Sequence, residues 1–459
     1  MTRDTQGRGW TRGGGLPFAR GLVALALVLG CSTTATPSAS GEGGGPAEGV
    51  DEGEEHAPAI APPDVPLPDV PVTYADELAN VDARIAAIRH RAQALTPSWV
   101  TLETLTGALL ERAQLTGDYD DYAAAEEALE EAFALAGEGT GPWMTRARLH
   151  FTLHRLDAAD ADLDRLSERL LLDDRQQAAI DGLRADIAFQ RGGYGAALED
   201  FLRIAEAKPG VTSLARLATY RWKTGDFDGA DALYKRALEE YDGQIAQPRA
   251  WLRLMRGLLD LDRGRYHEAY AHYRNAEAEL SGFWLIEEHI AEIRARLGEP
   301  AAAMDLYEDL IVRTRNPEFM DALADLKEEA GDAERAAALR KEAREAYEAL
   351  LDRYPEAAAG HALGHYLGRG DAPARALELA EANHTLRPNG EAKILFAEAL
   401  LAAGQAAQAQ QVIEDALASP WRSAQLHLVA SEIFAARGDA ERAASELAEA
   451  ERINPRIAD

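Results

Sequence analysis

The sequence feature that most constrains the fold is a glycine that recurs at a nearly fixed interval. The successive intervals are 33, 39, 34, 33, 39, 34 and 34 residues, measured along Gly192, Gly225, Gly264, Gly298, Gly331, Gly370, Gly404 and Gly438. A period of this length indicates repeated structural units rather than one compact core. The two intervals of 39 residues predict units with a longer helix or loop, and we expect one longer helix at 333–353.

The unit at 212–243 shows how each interval is filled. Apolar residues with helical spacing stand on both sides of Gly225, so the stretch predicts two short amphipathic helices joined by a tight turn. Ala230 and Ala237 lie two helical turns apart on one face of the second helix. A larger side chain at either position would hold the paired helix away. Because one such unit cannot bury its apolar face alone, neighbouring units are expected.

This pattern resembles the tetratricopeptide repeat, in which a turn Gly-Asp precedes aromatic and small residues at fixed offsets. The matching residues are Gly225, Phe227, Ala230, Tyr234 and Ala237. The resemblance covers about 190–455 and implies a right-handed superhelix of helix pairs. In this family the first helices line a concave groove that receives extended peptides or a partner's helix.

Further helix pairs precede this region. We expect a helix from Tyr74 to about residue 95, a pair at 98–136 around Gly117, and a weaker pair at 142–171 that turns at Leu156. No stretch alternates at period two long enough for a sheet, so the predicted fold class is all-α, with about ten helix pairs. Prolines after second helices support the same frame: Pro209, Pro355, Pro388, Pro420 and Pro455.

The N-terminal residues resemble a bacterial lipoprotein signal. A basic start precedes the short apolar run at 21–30, which ends at Cys31, the single cysteine of the chain. The resemblance implies cleavage before Cys31, acylation of its thiol, and a bacterial envelope location. Ser32 rather than Asp follows, which implies the outer membrane, facing the periplasm or the surface. A secretory signal with an incidental cysteine and a cytosolic chain with an apolar start are the alternatives.

These boundaries divide the chain into four segments. Residues 1–30 are the predicted signal, and 31–73 are the lipidated cysteine with a Gly-, Pro- and acid-rich linker that lacks Lys and Arg. Such a composition predicts a spacer that is flexible at first and polyproline-like at 58–71. A PxxP ligand for an aromatic groove is the alternative for this stretch. Degenerate repeats are expected at 74–172 and the regular array at 173–459.

Charge and motif content narrow the functional class. The formal net charge is −30, which predicts repulsion from nucleic acid and from anionic lipid, so that the acyl chains would provide the only membrane contact. The sequence contains neither a GxxxxGK phosphate loop nor an HExxH helix. We therefore expect no enzymatic activity and no cofactor.

Histidine pairs keep one alternative open. His150 and His154, and likewise His361 and His365, stand four residues apart, a spacing that puts both rings on one helix face. His384 could add a third ligand to the second pair. The alternative function is therefore a periplasmic metal- or ligand-binding protein, with His361 and His365 as weak candidate ligands. Polar helix faces or packed histidines would explain the same spacing without a metal.

Counting back from the turn glycines gives candidate groove residues. Two successive units give Thr212, Ala215, Thr219 and Trp222, then Trp251, Leu254, Leu258 and Leu261. The unit that ends at Gly331 gives the acidic residues Glu318, Asp321, Asp325 and Glu328. Trp and Leu would hold apolar side chains and the acids would select Lys or Arg, so the predicted partner is basic with apolar anchors. The alternative is that the Trp and Leu residues pack between helices.

These observations predict an envelope-anchored lipoprotein that acts as a non-enzymatic scaffold. Its repeats would bind peptide or helical segments of partner proteins in the concave groove, with a role in envelope assembly.

Overall fold

The computed structural model describes residues 63–67, 72–94, 98–168, 172–368 and 372–457. Within these ranges the regular structure is almost entirely helical. The elements are β1 Val72–Thr73, α1 Tyr74–Ala94, α2 Trp99–Thr116, α3 Tyr119–Leu135, α4 Trp143–Thr152, α5 Leu156–Ser167, α6 Asp174–Gln190, α7 Tyr194–Ala207, α8 Val211–Lys223, α9 Phe227–Glu239, α10 Ala246–Asp262, α11 Tyr266–Glu279, β2 Leu280–Ser281, α12 Trp284–Arg296, α13 Pro300–Thr314, α14 Pro317–Glu329, α15 Ala333–Arg353, α16 Pro355–Leu367, α17 Pro373–Leu386, α18 Gly390–Ala402, α19 Ala406–Ala418, α20 Ala424–Ala436 and α21 Ala440–Ile453.

The helices form a solenoid. Helix α1 precedes ten pairs, α2–α3 through α20–α21. Each helix packs against the next one in the chain, and α3 meets α4 through the rings of Phe133 and Trp143, whose centroids lie 4.7 Å apart. Several first helices also contact the first helix of the following pair, as α14 does with α16. The predicted all-α solenoid is confirmed. No helix in the described ranges combines the length and apolar character that crossing a membrane requires.

The unit at 212–243 has the predicted local structure. Gly225 ends the first helix with φ of 88°, a conformation that glycine adopts without steric cost. The Asp226 carboxylate then caps α9, because its Oδ1 accepts a hydrogen bond from Gly229 N at 3.0 Å. Ala230 and Ala237 are fully buried against the paired helix. The small-residue positions inferred from the sequence are therefore helix contacts.

The long intervals have two different origins. Helix α15 spans 21 residues, as expected for 333–353. The other long interval combines the 17 residues of α10 with an irregular connection at 240–245. Gly370 lies outside the described residues.

The weak pair turns earlier than predicted. Helix α5 already begins at Leu156, and the turn occupies residues 153–155. His154 takes the place of the turn glycine there, with φ of 59°. The turn was misplaced because a left-handed conformation at a residue other than glycine has no clear sequence signal.

Turns of the early pairs contact elements six pairs further along the chain. In the second pair, His154 Nδ1 lies 3.3 Å from the backbone oxygen of Glu356, in α16 of the eighth pair. At the turn of the fourth pair, Lys223 O accepts a hydrogen bond of 2.9 Å from Arg422 N, just before α20 of the tenth pair. One superhelical turn therefore takes six helix pairs, and successive turns touch.

The first pair also packs against later helices. Trp284 at the start of α12 donates from Nε1 to Leu115 O at 2.7 Å. The rings of Tyr119 and Tyr354 lie 5.2 Å apart between their centroids. These contacts join the beginning of the array to its middle.

The chain before α1 is also attached to the array. Strand β1 pairs in parallel with β2, with Val72 opposite Leu280. The Tyr74 ring stacks on Phe283 with centroids 5.6 Å apart. Within the described ranges, the β-sheet content consists of this ladder of two residues in each strand.

Overpacking one helix contact tests the repeat register. We expect Ala230→Trp to lower the free energy of unfolding by about 3 kcal/mol, because the buried methyl site has no room for an indole. Ala232→Trp is the matched control, since Ala232 is exposed on the same helix. The unfolding midpoint in urea measures both effects. Equal midpoints for the two variants would contradict the register.

Removing the Trp284 side chain tests the contact between superhelical turns. We expect Trp284→Ala to cost about 2 to 4 kcal/mol and to raise amide hydrogen exchange in α2 and α3, because the ring and its bond to Leu115 O hold that pair. Trp284→Phe keeps an aromatic ring and should have a smaller effect. Exchange that rises only in α12 would show that the first pair is held by other contacts.

Candidate peptide-binding site

The candidate groove residues on α8, Thr219 and Trp222, are buried. Thr219 is 2% exposed, and its Oγ1 forms a hydrogen bond of 2.7 Å with the Tyr234 hydroxyl on the paired helix. Trp222 is 5% exposed, and its Nε1 donates to Asp262 Oδ2 at 2.8 Å. Both side chains therefore join neighbouring helices and do not face an open groove.

The predicted apolar anchors lie in the same core. Trp251, Leu254 and Leu258 are buried in a hydrophobic cluster that extends from α8 to α12. Ala215 is buried as well, whereas Thr212 and Leu261 are partly exposed. Their burial corresponds to the alternative that these Trp and Leu residues pack between helices. The sequence left both alternatives open, because an error of one residue rotates a helix face by about 100°.

The predicted acidic stripe is neutralised within the protein. Arg340 Nη2 lies 2.8 Å from Asp325 Oδ1 and 2.5 Å from Glu328 Oε2. The Asp321 carboxylate is bonded to His365 Nδ1 at 2.9 Å. These acids therefore already have cationic or hydrogen-bonding partners on α15 and α16.

The candidate metal ligands His361 and His365 face separate carboxylates. His361 Nδ1 lies 2.6 Å from Glu318 Oε1, while His365 contacts Asp321. In the earlier pair, His150 Nδ1 lies 3.2 Å from Asp162 Oδ2. Neither pair belongs to a group of three potential ligands in the described part of the chain.

One group of three potential ligands does occur within the described ranges, on α12, and comprises Glu288, His289 and Glu292. Burial opposes a charge on His289, but the Glu288 and Glu292 carboxylates together outweigh it and raise the pKa of His289 to about 10. Arg296 Nη2 also lies 2.9 Å from Glu292 Oε1. The arrangement is an internal ion-pair network.

A different surface holds a segment of the chain itself. We call residues 63–67 the strap, since they lie across α9 and α10. Helix α10 supplies the arginine face, defined as Arg249, Arg253 and Arg256, whose spacing of four and three residues places them on one side of the helix.

The Asp64 carboxylate of the strap is held by two cationic side chains, Arg256 and Lys235. Arg256 donates from Nη1 and Nη2 to the two Asp64 oxygens at 2.8 and 3.0 Å, a bidentate pair. Lys235 Nζ on α9 lies 3.3 Å from Asp64 Oδ2. The hydrogen bond from Arg256 is the main reason why the pKa of Asp64 lies well below its ordinary range. These bonds favour the ionised form of the Asp64 carboxylate.

The strap backbone is held by the other two arginines. Arg253 Nη2 donates to Val65 O at 2.9 Å and to Pro66 O at 3.0 Å, and Arg249 Nη2 donates to Pro66 O at 3.0 Å. The Val65 side chain is 5% exposed and belongs to the core cluster. The strap thus offers a carboxylate, two carbonyls and one apolar side chain to the array.

Acidic residues on the neighbouring helices fix the arginine face. Glu279 at the end of α11 accepts hydrogen bonds from Arg249 Nε at 3.0 Å and Arg253 Nε at 2.7 Å. Asp231 on α9 accepts from Arg256 Nε at 2.7 Å. Burial opposes the charge of Arg256, but its bonds to Asp64 and Asp231 raise its pKa. Each guanidinium therefore bonds to an acidic residue of the array and also to the strap.

Sequence reasoning missed this face, although the spacing of its arginines was available. It considered only the apolar residues of α10, and it assigned residues 63–67 to a spacer. Three arginines at positions i, i+4 and i+7 of a helix that is otherwise buried are the signal that could have found the site.

Known proteins resemble the chain in fold. No family model and no curated protein sequence matches it. Among solved structures, a tetratricopeptide repeat protein from Parabacteroides merdae is 19% identical over 53% of this chain and 93% of that one, with a TM-score of 0.32.

Two further solved structures match the chain at similarly low sequence identity. Pseudomonas aeruginosa PilF is 18% identical over 47% of this chain and 95% of its own, with a TM-score of 0.33. The human IFIT1 dimer with m7Gppp-AAAA is 14% identical over 85% and 96%, with a TM-score of 0.38. The helix pairs of the chain itself, repeated at intervals near 34 residues, make it an all-α solenoid of the tetratricopeptide type.

Proposed function

We propose that this protein is an envelope-anchored, non-enzymatic scaffold that binds peptide or helical segments of partner proteins and serves in envelope assembly. The observation that carries the proposal is the strap on the arginine face. A helical array that holds an irregular segment through its carbonyls, one carboxylate and one apolar side chain has the chemistry of a peptide-binding surface.

The arginine face contacts both the backbone and the side chains of the strap, and this combination supports peptide binding. Arg249 and Arg253 donate to carbonyl oxygens, which every peptide offers regardless of its sequence. Arg256 and the pocket around Val65 contact side chains, which provide selectivity. Backbone contacts with a few side-chain contacts are typical of peptide recognition.

The partner's charge needs a revised hypothesis. The expectation of a basic partner depended on the acids of α14. Asp325 and Glu328 are paired with Arg340, so selecting a basic ligand there would require breaking internal ion pairs. The arginine face instead favours a ligand that carries a carboxylate.

The lipid anchor is proposed from the sequence, since Cys31 lies outside the described residues. Acyl chains contribute about 0.8 kcal/mol for each buried CH₂ group, so a diacylglyceryl group with a third chain is enough for stable attachment. The net charge of −30 would keep the array away from anionic headgroups. The residues between Cys31 and the strap would then set the reach of the array from the membrane.

Substitution of the cysteine tests the anchor. Metabolic labelling with a fatty acid should label the wild-type protein, and Cys31→Ala should abolish the label and release the protein from the membrane fraction. Ser32→Asp is the matched control, because it should keep the label while moving the protein from the outer to the inner membrane. An unlabelled wild-type protein, or a mature protein that keeps Met1, would contradict both the anchor and the envelope location.

Site-specific photo-crosslinking in cells tests the scaffold. A photoreactive residue in place of Lys235, at the edge of the arginine face, should form an adduct with another protein that mass spectrometry identifies. The same residue in place of Val312, which is 79% exposed on α13, is the control and should form none. Adducts that are absent at Lys235, or identical at the two positions, would contradict partner binding at this face.

A further inference from the structure

We propose that the arginine face and Lys235 form a recognition site for short peptides with the sequence Asp-Val-Pro, and that the strap is an occupant that blocks this site within the same chain. This inference rests on the proposed scaffold function and names the class of peptide that the scaffold takes. The free partner would be an extended segment that carries an aspartate next to a β-branched residue and a proline.

Each part of the strap sequence has a separate contact. Both Asp64 oxygens bind Arg256, so a ligand needs a carboxylate with a short side chain at this position. The Val65 side chain fills a buried position in the core cluster, which excludes charged or large residues. Pro66 presents its carbonyl to Arg249 and Arg253 and fixes its own φ. The site therefore recognises a short sequence and not charge alone.

The strap and the arginine face are far apart in sequence, and bonds to the Asp64 carboxylate and to the Val65 and Pro66 carbonyls join them. Asp64 and Arg256 are 192 residues apart in sequence. The same four residues, Pro-Asp-Val-Pro, occur at 63–66 and again at 68–71. The second copy lies outside the described residues. A motif that the chain carries twice beside one complementary site is expected of a ligand sequence more than of a spacer.

Arg253 favours replacement of the strap by another peptide over departure of the strap alone. Its side chain is fully buried, and Glu279 satisfies its Nε. The strap provides both acceptors of Nη2, while Nη1 has no partner within the described residues. Without the strap, Nη2 would lose both carbonyl acceptors and would need water in their place. A competing peptide with the same carbonyls would restore both bonds, and a longer ligand could also bind Nη1.

Occupation within the chain makes the site autoinhibited. The pairing of β1 with β2 keeps the strap near the face, so the strap competes at a high effective concentration, on the order of millimolar for short tethers. A partner binds only if it competes with this concentration or if the strap is drawn away. The linker that connects the array to the proposed anchor would then also control access to the site.

Peptide binding to the full-length chain tests the inference. The probe is a fluorescein-labelled peptide with the sequence of residues 61–67, Ala-Pro-Pro-Asp-Val-Pro-Leu, measured by anisotropy. The variant Asp64→Asn/Asp69→Asn removes the carboxylate from both internal copies while keeping their shape and all helices. We expect this variant to bind the probe at least about tenfold more tightly than the wild type, because its own strap competes poorly.

Two controls make the result specific. A probe with Asn in place of the Asp should bind the variant at least about tenfold more weakly, since the bidentate pair with Arg256 is lost. In the same background, Lys235→Glu should weaken binding of the Asp probe, whereas Lys341→Glu, at a 79% exposed lysine on α15, should not. Circular dichroism and the unfolding midpoint check the fold of each variant.

The outcomes separate this inference from the proposed function. Equal binding of the probe by wild type and variant, or equal binding of the Asp and Asn probes, would overturn the recognition site and leave the strap as a structural element. Partner adducts at Lys235 would then still support the scaffold. Tight, Asp-dependent probe binding without any partner adduct in cells would keep the site and overturn the scaffold.

Discussion

The turn glycines are the residues on which the rest of this structure depends, because they act in two ways. All of those described have positive φ, which lets each first helix reverse into the second. In the early pairs, the absence of a Cβ at these glycines also lets residues of the next superhelical turn approach the backbone closely. A Cβ at Gly264 would overlap the side-chain oxygen of Asn454, and one at Gly225 would lie 3.0 Å from Arg422 Cβ. Around Gly404 and Gly438 a Cβ would meet nothing within 4 Å.

Contact between successive turns changes the energetics expected of a solenoid. In an open array each unit touches only its neighbours, so stability is approximately a sum of local terms. Here the Tyr194 hydroxyl accepts a hydrogen bond of 2.7 Å from Gly390 N, almost two hundred residues away. The rings of Phe189 and Trp421 lie 6.1 Å apart across the same boundary. Early and late pairs therefore contact one another directly, and we expect the array to unfold more like one domain than like a chain of independent units.

The sequence predicted what depends on local spacing and missed what depends on accumulated geometry. Helix type, the turn at Gly225, the buried contact at Ala230 and the length of α15 all follow from residues within one unit. The contact between His154 and Glu356 depends on small rotations summed over six pairs, which no single unit encodes. The burial of Trp251 was left open for a related reason, since a small error in helix phase interchanges groove and core.

The arginine face shows how an acidic protein can select an acidic ligand. A net charge of −30 repels a peptide carboxylate at distances beyond about 8 Å only weakly at physiological ionic strength, because salt screens it. At contact, the short bidentate bonds of Arg256 dominate, because its side chain is 5% exposed, although Asp64 is 40% exposed and solvent screens part of the attraction. Long-range repulsion therefore slows encounter without determining what is held. Selection at this face depends on the fit of one carboxylate, one valine-sized side chain and two carbonyls to groups that Glu279 and Asp231 keep in place.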